Sequence, residues 1–256
     1  MPIASVNANT LFLIILILTS ILLPAAGKSE TLHLAVAANF TDVTRIVVPL
    51  FEKHTDHNVK VSFGSTGKLY AQIVHGAPFD IFLAADEARP RRLAEEGYAV
   101  KGSGFTYARG RLVLWSADKN LFNKGEAFLR DDSFRKLAIA NPSTAPYGLA
   151  AQQVLQHLGI WEALSAKLVR GDSISQAFQF TATGNAELGL VAASQVKAWP
   201  QPGSQWVIPD DYYQPISQQA VLLKRGEQNA AAVAFISFLR SNEARTIIRD
   251  YGYAVE

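Results

Sequence analysis

Short apolar segments rich in β-forming residues recur along this chain, at residues 32–37, 59–63, 81–85, 112–116, 137–140, 188–192 and 220–223. Stretches with helical periodicity separate them. Between the first two, Val43, Ile46, Val47, Leu50 and Phe51 fall at i, i+3, i+4, i+7 and i+8, on one face of a helix. Near the end, Ala231, Phe235, Phe238 and Leu239 repeat that spacing, and Ile247, Ile248 and Tyr251 add a further turn or two. Strands alternating with helices specify an α/β fold with parallel sheets and helical crossovers. The segment 220–223 lies far from the first strands, and periodicity alone does not place it. The turn-rich stretch 200–215 reads as an ordered connection between lobes in which Tyr212 and Tyr213 pack rather than form a stacking surface.

Ahead of this pattern, the first 27 residues contain no Asp, Glu, Lys or Arg. Leu11 to Leu23 is apolar except for Thr19 and Ser20, which is short of the roughly 20 apolar residues that span a bilayer. Pro24, Ala25, Ala26 and Gly27 follow in a signal-peptidase pattern, with cleavage after Ala26 or Gly27, although no Lys or Arg precedes the apolar core. The expectation is a cleaved signal peptide at 1–27 and a soluble periplasmic protein. About 229 residues remain, enough for two small lobes. Cysteine is absent, which excludes disulfides, thiolate metal sites, a cysteine nucleophile and a lipid-modified cysteine at the cleavage point. A formal net charge of +2 is too small to imply nucleic acid or a membrane surface as partner.

Four strand ends run directly into polar turns that open helices. The first holds Ala38, Asn39 and Phe40, with Thr41 or Asp42 placed to cap; the second holds Gly64, Ser65, Thr66, Gly67 and Lys68. The third runs from Asn141 to Gly148, and the fourth from Gly171 to Ser175. A helix start leaves backbone N–H groups unpaired and carries partial positive charge, so it accepts an anion readily. In doubly wound sheets, ligands sit at the carboxyl ends of the strands, where these turns lie. Each turn alone reads equally as ordinary capping; the signal is that there are four of them.

Other chemistries find less support. Gly64 to Lys68 is not a nucleotide-binding loop, because Ser62 stands where its first glycine belongs and Leu69 where Ser or Thr follows the lysine. Lys68 reads as a solvent-facing first-turn residue, and Arg89, Arg91 and Arg92, flanked by Glu87, Glu95 and Glu96, as a solvated helix face. His54 and His57 lack the third clustered ligand that a metal site requires. Asp80 and Asp86 bracket a strand and would lie roughly 20 Å apart, too far for joint acid–base work. There is no nucleophile elbow, and the chain reads as a binding protein rather than an enzyme, with no cofactor.

At these four turns the chain resembles the periplasmic molybdate-binding proteins, the capture components of molybdate ABC transporters. The most specific stretches are residues 35–40 (AVAANF), 76–86 (GAPFDIFLAAD), 104–115 (GFTYARGRLVLW), 145–150 (APYGLA) and 248–255 (IRDYGYAV). The resemblance implies a type II binding-protein fold: two α/β lobes, residues 31–108 with 217–256 and residues 109–216, joined by a hinge of two crossing strands. It returns the 220–223 strand to the first lobe. It also implies a site in which Asn39 donates to the oxyanion, Thr66 supplies a hydroxyl beside Ser65, and Tyr147 and Ile174 each offer the first backbone N–H of a helix. Ala38 stands where some members have threonine, and Ala192 where one group has a tyrosine. The implied ligand is molybdate or tungstate, the implied partner an inner-membrane permease, and the protein is expected to be a monomer. Another oxyanion such as sulfate or phosphate is the alternative ligand, and an exported α/β hydrolase the more distant alternative.

Overall fold

The computed structural model describes residues 29–131 and 133–255; the expected signal peptide at 1–27 lies outside the described residues. The chain begins β1 (Thr31–Ala37), α1 (Thr41–Thr55), β2 (Asn58–Gly64), α2 (Thr66–Val74), β3 (Ile81–Leu83), α3 (Ala88–Glu95) and β4 (Phe105–Gly110). It continues with β5 (Leu112–Ser116), α4 (Gly125–Asp131), β6 (Leu137–Ala140), α5 (Pro146–His157) and α6 (Trp161–Leu164). Then come β7 (Leu168–Gly171), α7 (Ile174–Ala182), β8 (Leu188–Ala192), α8 (Ala193–Ala198) and β9 (Ser204–Val207). β10 (Ile216–Leu222), α9 (Ala230–Leu239) and α10 (Asn242–Asp250) follow.

The strands form two five-stranded sheets, ordered β2-β1-β3-β10-β4 and β7-β6-β8-β5-β9. β1 pairs in parallel with β2 and β3, and β6 with β7 and β8. The remaining pairings are antiparallel: β10 with β3 and β4, and β5 with β8 and β9. The expected parallel pairing is present at β1–β2, β1–β3, β6–β7 and β6–β8, and antiparallel strands extend both sheets. The reason lies in how the chain changes sheets. β4 runs into β5 with only Arg111 between them, and β10 brings the chain back to the first sheet. A strand that returns beside its predecessor pairs antiparallel and needs no helical crossover. Three strands fall outside the apolar segments: β4, β7 and β9. All three are sheet edges, where one side of the strand is unpaired and fewer apolar residues are required.

Apolar alternation in β1 builds a core on each face of the first sheet. Leu32, Leu34 and Val36 pack with α1 and α9 residues such as Val47, Phe51 and Phe235. Ala35 turns the other way, toward Leu69, Ile73 and Leu93. Each fully buried leucine or phenylalanine contributes about 1.5–3 kcal/mol relative to exposure. The stripe on α1 is rotated from its expected position. Ile46 is 47% exposed, and the buried positions are Val43, Thr44, Val47, Val48 and Phe51. In the second sheet, Leu112, Leu114, Leu137 and Leu188 meet α5 and α7 in one core, which also takes in Ala37, Ala38 and Ala85 from the first sheet's turns. The two lobes thus share a packed boundary. Tyr213 is buried there, and its hydroxyl accepts from the Leu112 N–H at 3.1 Å. Tyr212 stacks on His157 at 4.1 Å. Both tyrosines pack, as their sequence context predicts.

Candidate functional site

The four turns lie at the carboxyl ends of β1, β2, β6 and β7, and direct hydrogen bonds tie them together across the lobes. Ser175 Oγ in the fourth turn donates to Ala38 O in the first at 3.0 Å. Gly67 N in the second donates to Thr144 O in the third at 2.8 Å. Lys68 Nζ reaches Asp172 Oδ2 of the fourth at 2.8 Å. Lys68 is exposed in the first turn of its helix, as expected, and half of its side chain is covered by this pair across the cleft. Arg89 is drawn in from the solvated face, pairing with Asp86 and donating to Ser143 O at 3.2 Å.

Local geometry explains why each helix start is available. Neither Thr41 nor Asp42 caps α1: the N-cap position is Phe40, without a side-chain cap bond. Thr41 Oγ1 instead donates to Ala38 O at 2.7 Å, closing a 3-10 turn over Ala38–Phe40. Ser65 occupies the N-cap of α2 in extended conformation, yet its hydroxyl makes no cap bond. α5 begins with Pro146, which has no N–H, so Tyr147 offers the first donor of that helix. Gly148 lets the helix start sit directly on the end of β6, because a Cβ there would lie 2.4 Å from Ala140 O. α7 begins at Ile174, with Ser173 as N-cap accepting from Gln176 N. The first N–H groups of these helices have no intrahelical acceptor.

Side chains divide sharply. Asn39, Ser65, Thr66, Tyr147 and Ile174 are all buried, and Ala38 is 6% exposed. None carries a charge. Ser65 Oγ and Asn39 Oδ1 are buried with no hydrogen-bond partner in the protein, as is Thr144 Oγ1 in the third turn. Buried polar atoms are nearly always paired; the two hydroxyls, on turns joined by the Gly67–Thr144 bond, can each donate to a ligand, whereas Asn39 Oδ1 can only accept. Thr66 Oγ1 accepts from Ala85 N at 3.1 Å. Asn39 uses both amide hydrogens inside the protein: Nδ2 donates to Gln218 Oε1 at 2.8 Å and to Tyr253 Oη at 3.0 Å. Ala192 is fully buried at the start of α8. From the same turn, Ser194 Oγ donates to Tyr253 Oη at 2.9 Å and lies 3.4 Å from Asn39 O.

Beneath the turns lies a layer of phenols. Burial raises Tyr107 and Tyr147 well above the ordinary tyrosine pKa, and pushes Tyr253 up to about 12. All three are neutral hydroxyls at physiological pH. The carboxylates of the strand at 81–83 play other parts. Asp80 is buried against Arg225, His33 N and Asn229, whereas Asp86 serves Arg89. His57 Nδ1 accepts from Glu30 N at 3.2 Å, and no cluster of three metal-ligating side chains occurs among the described residues. No helix among them is long and apolar enough to cross a membrane.

Sequence reading missed Thr144, Ser175, Ser194, Gln218 and Tyr253. Thr144 and Ser175 lay within quoted turns but were hidden among other capping residues. The other three come from distant segments, and no spacing rule brings them to the site.

Two mixed α/β lobes joined by crossing strands, with helix-start turns meeting between them, are the architecture of a two-lobed solute-binding protein. Residues 32–254 match the model of the bacterial extracellular solute-binding proteins. The chain is 53% identical over 234 residues to the molybdate-binding protein ModA of Rhodobacter capsulatus, covering 91% of each. It is 50% identical to ModA of Azotobacter vinelandii over 237 residues, covering 92% of this chain and 94% of that one. The structure of the Azotobacter vinelandii periplasmic molybdate-binding protein superposes with a TM-score of 0.84 at 44% identity, covering 88% of this chain and 99% of that one. The chain belongs to the ModA family of extracellular solute-binding proteins.

Proposed function

We propose that this protein captures molybdate, and with it tungstate, in the periplasm and delivers the anion to an ABC permease of the inner membrane. It would act as a monomer, released from its signal peptide near Ala26 or Gly27. Its moving parts would be residues 31–108 with 217–256 and residues 109–216. The observation that supports this reading most is that four helix-start turns are tied together in pairs across the lobes, and that one of them carries a buried hydroxyl, Ser65 Oγ, with no partner in the protein.

The chemistry suits a fully deprotonated tetrahedral dianion. Such an ion only accepts hydrogen bonds, so it fits a cage of N–H and O–H donors. In this reading Tyr147 and Ile174 donate through the backbone, as do Ala38 and Asn39 from the first turn. The Asn39 side chain, whose amide hydrogens are already engaged, supports its turn rather than facing the ligand. Ser65 donates its hydroxyl. Thr66 does the same while accepting from Ala85 N. Thr144 is a further hydroxyl within the same turns. Each such bond to a charged acceptor contributes about 1.5–3 kcal/mol, so several together hold the anion without a cation in the cage. A singly protonated phosphate would also need an acceptor, and the backbone N–H donors supply none.

Thermal-shift titration of the mature protein with molybdate, tungstate, sulfate and phosphate tests this. Stabilisation by molybdate and tungstate at concentrations where sulfate and phosphate have little effect is expected. Stabilisation by sulfate but not molybdate would overturn the ligand assignment.

A further inference from the structure

Gln218 is fully buried on β10, one of the two strands crossing between the lobes. A buried amide is costly unless its groups are paired. Those of Gln218 are paired with three different parts of the molecule. Oε1 accepts from Asn39 Nδ2 at 2.8 Å, in the first oxyanion turn. It also accepts from Tyr107 Oη at 3.1 Å, on the other crossing strand. Nε2 donates to Tyr147 Oη at 3.3 Å, in the first turn of the second-lobe helix α5.

Both crossing strands are shaped around these bonds. The ladder between β4 and β10 slips between Gln218 and Gln219: Gln218 faces Ala108, Gln219 faces Thr106, and Tyr107 is left as the extra residue of a bulge. Bulges re-aim side chains, and here the tyrosine hydroxyl reaches the same amide as Asn39. At the end of β4, a Cβ on Gly110 would lie 2.0 Å from Tyr147 Oη and 2.8 Å from Gln218 Nε2. Any larger residue would therefore displace this hydrogen bond.

We propose that Gln218 is the positioning residue of the oxyanion site, holding the Asn39 turn of one lobe and the Tyr147 helix start of the other in register when the lobes are closed. The inference rests on the molybdate reading. Gln218 does not touch the anion; it sets how long the closed cage lasts. Rotating the lobes apart strains or breaks the Tyr147 bond and strands a buried amide, so the bond stabilises the closed form specifically. Its loss should appear in the rate of release more than in the rate of capture.

The test uses Gln218→Met, which keeps length and removes the hydrogen bonds, Tyr147→Phe, which removes one hydroxyl and keeps the ring and backbone N–H, and the double variant. Stopped-flow and calorimetry measure molybdate release, capture and affinity. Each single variant is expected to release molybdate about tenfold faster or more, with capture changed by about twofold or less. The double variant should be no worse than the worse single one, since both remove the same link. Release within twofold of wild type in Tyr147→Phe would overturn the proposal, even if Gln218→Met fails to fold. So would losses that multiply in the double variant. A purely structural role would lower the melting temperature of the unliganded protein and leave the release rate alone, which also contradicts it. Failure of the wild-type protein to bind molybdate is a separate result that strikes the ligand assignment.

Discussion

The turns of the first sheet and those of the second offer an anion different chemistry. In the first lobe two side chains offer hydroxyls to the proposed site: Ser65 carries one that is buried without a partner, and Thr66 a second in the next residue. In the second lobe the side chains that name the turns look elsewhere. Tyr147 sends its hydroxyl inward to Gln218, and Ile174 packs in the core at 3% exposure. What those two residues leave for a ligand is their main chain. In this reading Ser65 and Thr66 act through their side chains, and Tyr147 and Ile174 through their helix-start main chain, so substitutions at the two pairs should have unequal effects.

The largest effect should come from placing an acceptor with negative charge on the side-chain pair. Ser65→Asp puts a carboxylate against the dianion, and molybdate affinity is expected to fall at least about a thousandfold, since like charges in a desolvated site cost several kcal/mol. Near-normal binding in a calorimetric titration would mean that Ser65 does not face the anion. Removing the hydroxyls is milder. Ser65→Ala and Thr66→Ala should each weaken binding about ten- to a hundredfold, from about 1.5–3 kcal/mol per charged hydrogen bond. They separate in denaturant unfolding without ligand. Thr66→Ala also deprives the buried Ala85 N–H of its acceptor and should cost about 1–3 kcal/mol of stability, whereas Ser65→Ala removes a hydroxyl that has no partner and should cost almost nothing. Equal destabilisation by the two would blur the distinction drawn between them.

At the main-chain pair, conservative side-chain changes should matter little. Ile174→Val is expected to bind molybdate within about threefold of wild type, because it leaves the N–H in place and removes one buried methylene. A tenfold loss would show that the side chain, not the backbone, is the functional group. The smallest effect belongs to the rim. Lys68→Ala breaks the cross-lobe pair with Asp172, which is half-exposed on one side and more exposed on the other. Such pairs are screened and weak, so affinity should change by a few-fold at most and less in high salt.

The same division decides what could be read from the sequence. Turns that open helices after strands are visible as local patterns, whereas the choice of Asn39, Ser65, Thr66, Tyr147 and Ile174 within them, and the two-lobed fold, come from the family resemblance. Roles within those turns were less legible. Asn39 looks like a donor by residue type, but its amide is taken by Gln218 and Tyr253, which arrive from positions near the other end of the chain. The antiparallel strands β4 and β9 carry too few apolar residues to stand out from loops, because each lies at a sheet edge. Periodicity placed the buried face of α1 about one residue off, since Ile46 fits the spacing and yet faces water. Long-range pairing and polar networks depend on which elements meet, and a local pattern does not carry that information.

The claim that helix-start N–H groups hold the anion is tested most directly by Ile174→Pro measured beside Ile174→Val. Proline is tolerated as the first residue of a helix, and Ser173 before it is already extended, with φ −143 and ψ 168, as a residue preceding proline prefers. Helix α7 should therefore form in both variants, and circular dichroism checks this. Calorimetric titration with molybdate should then show Ile174→Val close to wild type and Ile174→Pro weakened about tenfold or more. Equal affinity in the two folded variants would contradict the account.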